Sequence, residues 1–161
     1  LFVLGRAASV AAPAGLLIWI MANVMVGDRS LLAHCSAFLD PFAHLLGMDG
    51  VILMAFILGF PANEVVFPII IMAYMAEGTL TDMNNLSELH TLLTANGWTP
   101  VTAICTLLFS LMHWPCSTTC MTIHKETASL KWTAASILIP TAVGMTFCFL
   151  IATAAHLCGI G

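Results

Sequence analysis

Charge is what this sequence has least of. Its 161 residues include 4 Lys and Arg and 8 Asp and Glu, or 7% in all. An ordinary soluble domain carries about 25%, so the chain does not read as soluble. A formal net charge of −4 argues against nucleic acid, which calls for a basic surface. No basic cluster offers a site for anionic lipid headgroups. Enzyme signatures are missing as well. There is no His-Glu-x-x-His, no Gly-x-Ser-x-Gly and no phosphate-binding loop, so the chain is not expected to be an enzyme. The Cys-x-x-Cys pair of a structural zinc site is also missing. The N-terminus lacks the pattern of a signal peptide and begins at Leu1, so we expect a piece of a longer protein.

What is there is apolar. Hydrophobic residues make up 60% of the chain, and the mean hydropathy is +1.02. This suffices for about four or five spans of about 20 residues each. The expected fold is all-α, a polytopic transmembrane helical protein embedded in a lipid bilayer. Cys105, Cys116, Cys120, Cys148 and Cys158 lie in or beside apolar segments, where free cysteine behaves as a small hydrophobe. Structural disulfides are therefore not expected.

Four approximate spans are predicted, over 7–26, 51–75, 99–127 and 132–157. Gly27-Asp28-Arg29-Ser30 ends the first with turn chemistry. Leu31, Leu32, Phe38, Leu39, Phe42, Leu45 and Leu46 recur at helical spacing among Asp40, His44 and Asp49, which predicts an amphipathic helix at the membrane interface. The stretch 76–100 is polar, with a short surface helix ended by Asn96-Gly97. Lys125 and Lys131 favour a cytoplasmic loop, and the acidic stretch through Glu77, Asp82 and Glu88 favours the other side.

Two of these apolar runs are broken in matching ways. Gly59-Phe60-Pro61-Ala62-Asn63-Glu64 interrupts one and His113-Trp114-Pro115-Cys116-Ser117-Thr118 the other. Proline inside a helix removes a donor and clashes with the preceding turn. Broken or re-entrant helices at Pro61 and Pro115 are therefore predicted, the device by which transporters build sites inside a bilayer.

Glu64 is the first candidate. A carboxylate at the bilayer centre costs about 2.5–3.5 kcal/mol, so such groups face a cavity or a partner. It reads as a cation ligand, a proton-linked gate, or a cap on the next half-helix, where negative charge is favoured. Asn63 divides between capping and ligation. Cys116 follows Pro115 near the start of a half-helix, and steps of four place Cys116, Cys120 and His124 on one stripe. His113 precedes the break. Thiolate and imidazole together suit borderline and softer transition metals. Against this, membrane helices also use small side chains simply to pack closely. Ser117, Thr118 and Thr119 either line a polar path or bond back to their own helix.

Gly59-Phe60-Pro61-Ala62-Asn63-Glu64-Val65-Val66 with Pro68 resembles a segment in the membrane part of the bacterial ferrous iron transport protein B family. So does Asn96-Gly97-Trp98-Thr99-Pro100 leading to His113-Trp114-Pro115-Cys116-Ser117-Thr118-Thr119. Lys125-Glu126-Thr127, Lys131-Trp132-Thr133-Ala134, and the opening Gly5-Arg6-Ala7 with Ala11-Ala12-Pro13-Ala14-Gly15 continue the match. The resemblance implies the second of two Gate-type halves of a permease in the bacterial inner membrane, with Fe²⁺ as the transported ion and no tightly bound cofactor. It further implies an upstream GTP-binding domain and a first Gate-type half on the same or another polypeptide, and it allows a homo-oligomer. Cys116 matches a recurrent family cysteine proposed to contact iron, and Glu64 a recurrent acidic position. Cys120 and His124 depart from the pattern, where hydrophobic and basic residues are more usual. The expected metal contacts are Glu64, Asn63, Cys116, His113, Ser117 and Cys120. The alternatives are a Gate-type carrier of nucleosides or another small solute, and a non-transporting membrane assembly subunit.

Overall fold

A computed structural model describes residues 2–61, 63–75 and 85–159, and for residues 2–11 and 14 the backbone alone. The expected acidic positions Glu77 and Asp82 lie outside the described residues. The fold is all-α apart from one minimal hairpin.

Helix α1 (Phe2–Asn23) leads into strands β1 (Met25–Val26) and β2 (Arg29–Ser30), which pair antiparallel. Gly27 turns this hairpin at φ +70°, a conformation glycine adopts without steric cost. Ser30 then caps α2 (Leu31–Leu45) by accepting from the Ala33 N–H at 3.2 Å, satisfying a donor that the first helical turn leaves unpaired. The chain next turns by 109° into α3 (Gly50–Leu58). Helices α4 (Val66–Met75), α5 (Leu86–Ala95), α6 (Pro100–Met112), α7 (Ser117–Thr127) and α8 (Leu130–Cys158) follow.

Helix α2 presents an unexpected face. The side chains it buries are Leu32, Ser36 and Ala43, while Phe38, Phe42 and Leu45 from the predicted apolar stripe point outward. Asp40 and Asp49, expected on the polar side, instead tie α2 to α3. Asp40 Oδ1 accepts from the Gly50 N–H at 2.9 Å, and Asp49 Oδ1 caps α3 through the Ile52 N–H at 2.7 Å. With its core-facing groups so spent, α2 is a packed corner rather than a free-lying surface helix.

Helix α3 is buried nearly all round, through Ile52, Leu53, Met54, Ala55, Phe56 and Leu58. It does not continue in line into α4. The Tyr74 hydroxyl, at the far end of α4, donates to Asp49 Oδ2 at the start of α3. Residues 51–75 thus form two half-helices, as the break at Pro61 predicts, and these fold into a helical hairpin whose two ends meet. Trp98 Nε1–H donates to the Tyr74 hydroxyl oxygen at 2.8 Å, which brings the start of α6 to the same end. Tyr74→Phe removes both bonds and leaves two polar groups short of a partner. It should cost about 1–3 kcal/mol, read as a lowered Tm in detergent; an unchanged Tm would show that this network holds nothing together.

Helix α6 starts cleanly. Thr99 accepts from the Thr102 N–H at 3.2 Å and Pro100 occupies the first turn, where its missing N–H is no loss. Helix α8 runs unbroken through Pro140 and packs along both α6 and α7. Gly144 permits the close approach, since a Cβ there would lie 3.0 Å from the Met112 Cβ. Phe56 and Phe109 meet edge to face at 4.9 Å in the centre of the core. The outer faces of α6 and α8 stay apolar: Leu111 is 83% exposed and Leu138 65%. Pro100–Thr127 and Leu130–Cys158, at 28 and 29 residues, are long and apolar enough to cross a membrane, and the bent α2–α3 pair makes a third run if counted as one.

Candidate functional site

The two sequence breaks meet. The first is the tip of the α3–α4 hairpin. Gly59 ends α3, with its N–H on the Ala55 carbonyl at 2.8 Å. The Val66 side chain fills the space a Cβ at Gly59 would need. A single 3₁₀ turn, Asn63–Val65, then restarts the helix. The second break is extended backbone, with His113 at ψ 179° and Cys116 at φ −60°, ψ 159°. Across the gap, the Ser117 N–H donates to the Phe60 carbonyl at 3.0 Å, and Ser117 Oγ–H donates to the Pro61 carbonyl at 3.4 Å. A carbonyl freed by one broken helix is thereby satisfied by a donor freed at the start of another.

The predicted residues do not all share this junction in the same way. Asn63 and Glu64 sit on the 3₁₀ turn with exposed side chains. Cys116 is half-buried at the N-cap of α7, its sulfur 3.1 Å from both the Thr118 and Thr119 hydroxyls. Ser117 makes the cross-break contacts. Cys120 is buried and its thiol is directed to the Pro115 carbonyl at 3.4 Å, while His124 is exposed. The stripe of Cys116, Cys120 and His124 is therefore divided among three environments.

His113 faces the core. Its ring packs 5.1 Å from Phe56, 5.7 Å from Trp114 and 6.0 Å from Phe109, and its Nδ1–H donates to the Ser110 carbonyl at 2.9 Å. Its Nε2 is buried without a partner among the described residues, as are Trp114 Nε1 and Thr106 Oγ1. Among the described residues no three of His, Cys, Asp or Glu gather closely enough to hold a metal ion. What meets across the two helix breaks is the backbone and hydroxyl of Ser117 with the Phe60 and Pro61 carbonyls, beside the Cys116 sulfur on one side and the 3₁₀ turn that carries Glu64 on the other.

Sequence reasoning missed the far end of the same bundle. Asp49, Tyr74 and Trp98 join three elements there. One signal was present: Asp49 directly precedes the apolar run of α3, the position of an N-cap. Its pairing with Tyr74 had no local signal.

The chain matches a family model described as Gate, nucleoside recognition, over residues 4–130. It is 43% identical over 56 residues to proteins named Fe(2+) transporter FeoB from Staphylococcus aureus strains MSSA476 and N315, an alignment covering 34% of this chain and 8% of each relative. It is 27% identical over 128 residues to the protein of that name from Leptospira biflexa serovar Patoc, covering 77% of this chain and 19% of the relative. The chain thus spans less than a fifth of the length of these curated relatives. No solved structure matches it.

Proposed function

The chain belongs to the Gate family of nucleoside-recognition domains, and from that premise we propose that it is a membrane-embedded part of a ferrous iron transporter. The observation that carries the reading is the junction of the two breaks, where Ser117 bonds to Phe60 and Pro61. The relatives' name supplies the cargo. In this reading Pro100–Thr127 and Leu130–Cys158 cross the bacterial inner membrane, and the apolar outer faces of α6 and α8 meet lipid. The α3–α4 hairpin enters the bilayer and returns, its tip ending at the second break. Irregular backbone is tolerated at membrane depth only where protein or a water-filled cavity surrounds it, and a tip that lines an ion path meets that condition.

Fe²⁺ then passes between the Glu64 carboxylate and Asn63 amide of one tip and the Cys116 thiolate and Ser117 hydroxyl of the other. Oxygen and sulfur donors together suit a borderline divalent ion. Conduction needs contacts weak and numerous enough for the ion to leave again. Cys120 and His113, which the structure turns to Pro115 and to the aromatic core, are the weaker members of the set. GTP binding and hydrolysis belong to a separate upstream domain that, with a first Gate-type half, completes the transporter as one or more polypeptides. This chain itself is not an enzyme.

Cys116→Ser and Glu64→Gln in the intact transporter test this. Each removes one contact to a charged group, worth about 1.5–3 kcal/mol, so Fe²⁺ uptake by cells should fall roughly tenfold or more. Wild-type uptake by both variants at normal protein levels removes the two residues from the mechanism. The family's description favours a second reading, a carrier of nucleosides or a similar solute. Uptake of a nucleoside that is indifferent to iron would support it. Absence of both transports would leave an assembly subunit.

A further inference from the structure

Away from the junction, α6 and α8 bring two buried thiols together. Cys105 and Cys148 are both 0% exposed. The Cys148 thiol is directed to the Cys105 carbonyl at 3.3 Å, and the Cys105 thiol to the Cys148 carbonyl at 3.9 Å. Each thiol thus points at the backbone of the other cysteine, so the pair forms a reciprocal contact between the two helices. A cavity of about 260 Å³ lies beside them, lined in part by His44, Gly47, Asp49, Thr102, Ala152 and His156.

A glycine lies between that cavity and the Cys105 sulfur. Gly47 lines the cavity, and a Cβ on it would come within 2.9 Å of Cys105 Sγ and 3.1 Å of the Ala152 Cβ. On α8, Gly144, Cys148, Ala152 and His156 follow at steps of four, which places them on one face. Gly144 packs against Met112, the last residue of α6 before the break. The face thus runs from the imidazole at the cavity, past the thiols, to the junction.

We propose that Cys105 and Cys148 form a second cation station, a dithiolate site that takes up one divalent transition-metal ion of borderline or soft character in exchange for two protons. The ion's identity as cargo rests on the transport reading above; its capture by these sulfurs does not. Each S–H bond breaks with its electron pair left on sulfur, two metal–sulfur bonds form, and the two protons leave through the cavity to water. Two thiolates neutralise one divalent ion, so the buried site carries no net charge before or after. That removes the main cost of placing a cation in a low-dielectric interior. Thiolate ligation selects softer metals, and metal uptake by thiols releases protons. A monovalent or hard ion meets neither condition.

The test titrates the purified full chain in detergent with Cd²⁺, following the thiolate-to-metal charge-transfer absorption and proton release. One Cd²⁺ bound at this pair and two protons released per ion are expected, the stoichiometry being read with Cys116 and Cys120 replaced by serine. The band should survive in a Cys116→Ser, Cys120→Ser variant and be lost in Cys105→Ser and in Cys148→Ser. Survival in the latter two, loss in the former, or no band in the wild-type chain overturns the proposal. Should the single variants fail to fold, X-ray absorption on a variant keeping only Cys105 and Cys148 decides it. Two sulfur neighbours around Cd²⁺ support the site, and fewer overturn it. Failure of the transport reading looks different: Cd²⁺ still binds at this pair while the intact transporter moves no Fe²⁺.

Discussion

Gly50→Ala should strain the α2–α3 corner and take a large share of the protein's stability with it. Gly50 is the first residue of α3 and lies directly on the backbone of α2. A Cβ there would overlap the Ser36 carbonyl and stand 2.9 Å from the Asp40 backbone nitrogen. These are main-chain atoms of a packed helix, so no rotamer change can clear the space. The helices must separate, which breaks the Gly50 N–H bond to Asp40 and exposes part of a core built around Phe56. Overpacking of this kind costs about 1–3 kcal/mol and occasionally more, against a total stability of only about 5–15 kcal/mol. The expected result is a strongly lowered Tm and early protease cleavage in detergent. Gly15→Ala is the control, because among the described residues nothing lies within 4 Å of a Cβ there. Alanine in that helix should be neutral or stabilising by up to about 1 kcal/mol. Equal Tm values for wild type and Gly50→Ala would mean that α2 and α3 are not packed as described.

Local chemistry in the sequence locates the helix ends better than it locates helix directions. Pro61 and Pro115 mark the breaks, Thr99-Pro100 marks the start of α6, and Gly27 marks the hairpin, each because one residue's backbone or side chain decides the outcome. The return of α4 alongside α3 has no such local cause. It depends on Tyr74 meeting Asp49, 25 residues apart in sequence, and nothing in periodicity encodes that pairing. The face of α2 fails for a different reason. Apolar periodicity separates inside from outside only when the outside is polar. Here the outer faces of α6 and α8 are themselves apolar, so Phe38 and Phe42 give no direction, and the buried Ser36 and Ala43 carry the contact instead. His113 was legible as a residue at a break but not as a ring in the aromatic core, because its neighbours Phe56 and Phe109 arrive from other turns and another helix.

Ser117→Pro should abolish the function of the junction while leaving the helices in place. Ser117 is the first residue of α7, a position where proline is favoured because the helix does not use that N–H. The residue before a proline must be extended, and Cys116 already is, at φ −60°, ψ 159°. The substitution is therefore silent for α7 itself. Across the gap it is not. The N–H that now meets the Phe60 carbonyl at 3.0 Å is replaced by a ring carbon, so the tips must part and the carbonyl loses its donor. The hydroxyl is lost as well, so two hydrogen bonds go, at about 0.5–1.5 kcal/mol each, enough together to shift a closed junction towards an open one roughly fivefold to a hundredfold. Fe²⁺ uptake by the intact transporter should fall by that order, with helix content by circular dichroism and protein level unchanged. Ser117→Ala supplies the contrast. It keeps the N–H and loses only the 3.4 Å hydroxyl bond to Pro61, so uptake should change by less than about fivefold, the equivalent of a bond worth under about 1 kcal/mol. Equal uptake by Ser117→Pro and wild type would show that the meeting of the two breaks is a packing contact, and the ion path would have to be sought elsewhere in the bundle.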